Sequence, residues 1–99
     1  MQDLLRQVQK AQKNMEKVQE ELGGRTVEGT SGGGMVKVTA TGRQEVTAIS
    51  IAKDCVDPSD VAMLEDLVLT AVQDALTKSQ DLANGEMAKL TGGLKIPGI

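Results

Sequence analysis

The chain has 99 residues, 39% of them hydrophobic and 25% charged, with a net charge of −3, the make-up of one small globular domain. It contains no aromatic residue, no histidine and a single cysteine, Cys55. This excludes an intrachain disulfide, a Cys/His zinc site and any chemistry that needs an imidazole base.

Without aromatic rings the core is built from Val, Leu, Ile, Met and Ala. A chain of this length buries only about 60–65% of its unfolded surface, so association of protomers is the expected remedy. The start lacks a signal-peptide pattern and no apolar run is long enough to span a bilayer, so a cytoplasmic location with no membrane partner is expected.

The first element is a helical arm over residues 1–22, stopped by Gly23-Gly24. Leu4, Val8, Ala11, Met15, Val18 and Leu22 recur at steps of four and three, a narrow heptad seam suited to packing against another helix. Two places on from the first four of these stand Arg6, Lys10, Lys13 and Lys17. Two residues turn a helix by about 200°, so this cationic stripe lies nearly opposite the seam. Residues 54–86, by contrast, hold eight acids against one lysine. The ordinary reading of the stripe is a solvated face, supported by the nearby Glu20 and Glu21 and by i,i+3 pairs such as Lys13 with Glu16.

Period-two alternation follows over residues 25–53. Val36, Val38 and Ala40 alternate with Lys37, Thr39 and Thr41, and Thr47, Ile49 and Ile51 with Ala48, Ser50 and Ala52. Turns at Gly32-Gly33-Gly34 and Gly42-Arg43-Gln44 divide this into three antiparallel strands near 25–31, 34–41 and 45–53. A long helix over 58–90 is expected next, with Asp57 as N-cap and Pro58 in its first turn. Its stripe of Leu64, Leu67, Val68, Ala71, Val72, Ala75, Leu76 and Leu82 is set to cover the sheet. Asn84-Gly85 is a candidate break before a short C-terminal helix, and 91–99 is expected to be a mobile tail. No linker divides the chain, so 1–99 is one α+β domain.

Several motifs fall short of a chemistry. The glycine triplet lacks the Lys-Ser/Thr and the helix of a phosphate loop. Asp54, Asp57 and Asp60 are three apart, not two as in a calcium loop. Cys55 has no histidine partner and reads as a small apolar residue at a strand–helix junction. The expectation is therefore no enzyme activity, no cofactor, no metal and no small-molecule substrate. If the basic stripe binds nucleic acid, the missing aromatics exclude base stacking, which leaves phosphate contacts on a duplex with little direct base readout. The alternative is a protein-interaction module that docks a partner through its helical surfaces. For self-association, the seam residues Leu4, Val8, Ala11 and Met15 with Val36, Val38 and Ile49 of the sheet are the expected dimer interface.

Three longer motifs occur together: the glycine hairpin of GGGMVKVTATGRQEVTAISI, the helix MLEDLVLTAVQDALTKSQDL and the ending LTGGLKIPGI. With the heptad helix before them, the whole chain resembles the YbaB/EbfC nucleoid-associated DNA-binding proteins of bacteria. The resemblance implies an intertwined homodimer whose projecting helices hold double-stranded DNA like tweezers. It implies a role in nucleoid organisation or gene regulation, and a link to recombination or repair proteins. Carried onto this sequence, it assigns Arg6, Lys10, Lys13 and Lys17 to the first arm. Lys78 and Lys89, with Lys95 in the tail, fall at the end of the second.

Overall fold

The computed structural model describes residues 2–91. Its elements run α1 (Gln2–Gly23), β1 (Thr26–Ser31), β2 (Val36–Thr41), β3 (Val46–Ile51) and α2 (Val61–Thr91), with short 3-10 turns at Gly32–Gly34 and Lys53–Cys55. The expected mobile tail lies, beyond Thr91, outside the described residues.

The three strands form an antiparallel meander in the order β1-β2-β3. All three glycines of the first turn have positive φ, and Gly33 at 68° lies in the left-handed region where a Cβ is strained. Cross-strand partners share a face, so Val36, Val38 and Ala40 lie on the same side as Ile51, Ile49 and Val46.

On that side α2 crosses β1 and β2. The crossing is close because the residues that meet are small: Gly29 of β1 lies under Ala71 and Ala75, one helical turn apart. The core is Val36, Val38, Ala40, Cys55, Ala71 and Ala75, ringed by Val27, Leu64, Leu67, Val68 and Val72. Cys55 is buried as the sequence suggests, its thiol donating to the Ala52 carbonyl. Polar bonds fix the register of helix on sheet. The Ser31 hydroxyl donates to the Leu67 carbonyl at 2.5 Å, and the Thr30 N–H to Asp74 Oδ2 at 3.0 Å. Buried Ser79 accepts the Gln44 N–H at 3.0 Å and donates to the Thr41 carbonyl, holding the β2–β3 turn.

Val36 and Val38, expected at the dimer interface, are covered within the protomer itself. Both are 0% exposed beneath α2 and belong to the core of the single chain. Ile49, on the same face, is 50% exposed because α2 does not reach over β3. All six residues of β3 are exposed.

The boundaries of α2 also differ from expectation. The Ser59 N–H and hydroxyl both bond to Asp57 Oδ1, so Asp57 closes a turn instead of capping the helix. Asp60 is the cap: its Oδ1 accepts the Met63 N–H at 3.2 Å, and the helix starts at Val61. It then runs 31 residues without a break at Asn84-Gly85. A single glycine costs a helix about 1 kcal/mol, too little to stop one that is already propagating.

Candidate nucleic-acid interface

α1 leaves the body as an arm. From Gln2 to Glu21 every side chain is exposed except half-buried Val18, and the molecule measures 67 Å by 28 by 16 Å. Only the root is fastened. Leu22 is buried, its carbonyl accepts the N–H groups of Gly42 and Arg25, and the Arg43 side chain lies against Gly23. Arg25, just past the helix, pairs with Glu86 of α2 at 2.6 Å.

Arg6, Lys10, Lys13 and Lys17 lie on one side of this arm over about 16 Å of helix rise. Gln9 and Gln12 adjoin them on the same surface. These amides were not singled out from the sequence, although their i,i+3 spacing to Arg6 and to each other was the available signal. Among the described residues none of the four cations is ion-paired. The expected pair of Lys13 with Glu16 does not form, although Glu16 lies on the same surface as Arg6, Lys10 and Lys13.

Lys78 and Lys89 are placed differently. The Lys78 ammonium donates to the Glu28 carbonyl at 2.9 Å and pairs with Asp74 at 3.2 Å, which ties α2 to β1. Lys89 pairs with Glu86 at 3.4 Å, the acid that also holds Arg25. Neither lies on the arm, and both are partly neutralised. Lys95 lies outside the described residues. The exposed seam residues Leu4, Val8, Ala11 and Met15 lie on α1 away from the stripe, uncovered in the protomer.

The carboxylates engaged in these ties titrate low. The Thr30 N–H, and then the Lys78 ammonium, hold the Asp74 carboxyl below its ordinary value. The Arg25 guanidinium does most to lower Glu86. A carboxyl depressed in the folded chain contributes stability above its unfolded pKa of about 4, and that stability is lost as pH falls through the folded value. Stability is therefore expected to be level above about pH 5 and to fall below about pH 4. Asp74→Asn should flatten that fall, and urea denaturation across this range measures it.

Described residues hold no group of three or more Cys, Asp or Glu able to bind a metal, and no helix long and apolar enough to cross a membrane. What they present is a sheet-and-helix body with one projecting helix that is basic along one side. This is an α+β body with a helical arm. The chain belongs to the YbaB/EbfC DNA-binding family, whose family model matches residues 1–94. It is 54% identical over its full length to a nucleoid-associated protein of Pelotomaculum thermopropionicum, covering 94% of that protein. It is 59% identical, with the same coverage, to one of Desulforamulus reducens. The fold also matches a crystal structure of an uncharacterized Helicobacter pylori protein. The TM-score is 0.83 at 18% identity, over 93% of this chain and 97% of that one.

Proposed function

We propose that this chain binds double-stranded DNA as a homodimer, chiefly through phosphate contacts from the α1 stripe, and acts at the nucleoid in DNA organisation or gene regulation. The observation that carries this reading is the stripe of four exposed, unpaired cations on an arm whose remaining length is free. Membership in a DNA-binding family and the names of its relatives support it. A dimer doubles the stripe to eight cations. Lys78 and Lys89 play a lesser part, since each must first leave an acid. A link to recombination or repair proteins belongs to the same reading and rests on the family resemblance alone.

The test is fluorescence anisotropy of a labelled duplex at low and physiological salt. Displacing all eight counterions gives a log–log salt slope of roughly −7, and partial engagement puts the expected value at about −2 to −5. A flat response excludes the stripe. Absence of binding even at low salt favours the protein-interaction module, whose support is the exposed Leu4, Leu5 and Val8 at the arm tip.

Support for dimerisation lies at β3. Val46, Ile49 and Ile51 extend the helix-covered face of the sheet, and each is 40–50% exposed. An apolar edge strand bare on both faces is a ready site for a second copy. Ile49→Asp is expected to weaken the dimer by roughly two orders of magnitude, because it buries an unpaired charge there. Sedimentation equilibrium measures this. An unchanged dimer removes Ile49 from the interface.

A further inference from the structure

β1 is an edge strand, yet its edge is not bare. The Gly42 N–H bonds to the Arg25 carbonyl, and antiparallel pairs alternate between bonded and non-bonded, so Val27, Gly29 and Ser31 turn their backbone groups to β2. Thr26, Glu28 and Thr30 turn theirs outward. Two of these outward groups are taken by α2, one on either side of Gly29. The Glu28 carbonyl accepts from the Lys78 ammonium at 2.9 Å, and the Thr30 N–H donates to Asp74 Oδ2 at 3.0 Å. A residue of a parallel strand paired with Gly29 would make the same two bonds, its N–H to the carbonyl of Glu28 and its carbonyl to the N–H of Thr30. The spacing fits, because four helical residues rise about 6 Å and two strand residues about 6.6 Å. The close crossing at Gly29 puts both side chains within reach of the edge.

Holding the helix down does not account for this arrangement. The side chains are partly exposed, 49% for Lys78 and 37% for Asp74, and a surface ion pair contributes little to stability. Donor and acceptor stand in the one order that matches the edge, ammonium on the carbonyl and carboxylate on the N–H. A reversed pair would keep the i,i+4 spacing and the charges and could make neither bond to the strand.

An open edge strand is a template for another chain, and sheets close such edges with charged side chains or a covering helix. β3, exposed along all six residues, lies beyond the reach of α2. A protomer with both edges open can extend without limit, head to tail through β1 and β3 or, where β3 already joins two copies, through β1 and β1. A protomer with one edge closed cannot. The geometry points to Asp74 and Lys78 as a side-chain mimic of a strand that closes β1, so that strand addition is confined to β3 and assembly stays finite. This closure is independent of DNA binding and holds whether or not β3 is paired.

Sedimentation velocity of the full chain over a range of concentrations tests the closure. Asp74→Ala with Lys78→Ala keeps the net charge and favours the helix. It should form species severalfold heavier than wild type, growing with concentration. The reversed pair, Asp74→Lys with Lys78→Asp, should do the same. Thr30→Pro added to the double alanine variant removes an outward N–H, which an edge strand tolerates, and should return the size to that of wild type. Circular dichroism verifies that each variant is folded. Double alanine chains of wild-type size overturn the closure. So does a reversed pair of wild-type size, which would reduce Asp74 and Lys78 to an ordinary ion pair. Growth that persists with Thr30→Pro places the new contact away from the β1 edge and overturns it as well. If the double alanine variant does not fold, Lys78→Met decides by the same readout, because it keeps the aliphatic stem and the Asp74 bond and frees only the Glu28 carbonyl. Wild-type size in that variant then overturns the closure, and heavier species support it.

Discussion

Replacing Lys10 and Lys13 together by glutamate is expected to abolish measurable duplex binding while leaving the fold and self-association intact. Both side chains are exposed and neither is ion-paired, so no native contact is lost. Glutamate has nearly the helix propensity of lysine. The new charges also form favourable i,i+4 spacings, Arg6 to Glu at 10 and Glu at 13 to Lys17, so α1 should stay helical. Electrostatics change far more. The stripe goes from four positive charges to none net, and a dimer loses eight charge units. Non-specific binding begins near 10⁻⁴–10⁻⁶ M, so a loss of roughly a hundredfold or more takes it beyond titration. Anisotropy at low salt measures the loss, and circular dichroism verifies the helix. Binding that survives the double reversal would move the DNA surface off α1.

The second large effect concerns the body. Gly29→Ala is expected to destabilise the chain by about 3 kcal/mol or more, at the upper end of overpacking costs. A Cβ at this position would lie 2.7 Å from Ala75 Cα and closer still to Ala75 N and the Ala71 carbonyl oxygen. All three are backbone atoms of α2, so no side-chain rotation relieves the clash. The helix must lift from β1, and the Ser31–Leu67 and Thr30–Asp74 bonds must lengthen with it. Urea denaturation reads the change as a shift in midpoint. A loss below about 1 kcal/mol would show that the crossing has slack.

Much of this was legible because the signals are local. The heptad steps fix α1, its seam and its stripe. The alternation around Val36–Thr41 and Val46–Ile51 and the two glycine-marked turns fix the meander. What the sequence does not carry is how far one element covers another. Val38 and Ile49 are cross-strand partners on one face and look alike in pattern, yet one is sealed and the other half bare. The width of α2 relative to three strands decides that, and no residue encodes it alone. The same holds for Lys78. Its i,i+4 partner Asp74 could be read from spacing, but its bond to the Glu28 carbonyl comes from sheet and helix meeting across 50 residues. The cap of α2 was misplaced because Asp57 and Asp60 satisfy the same cap chemistry. The turn closed by Ser59 selects the second.

The uncovered third strand has a consequence for how the protein is regulated by amount. On the homodimer reading, the partner that covers β3 binds only the folded chain, so mass action ties thermal stability to protein concentration. A dilute chain is then less stable as well as less often paired. Active dimer rises more steeply than the quantity of chain made, and falls more steeply when synthesis stops. A cell that alters the level of this protein would thereby change its DNA occupancy more than in proportion, with no effector ligand.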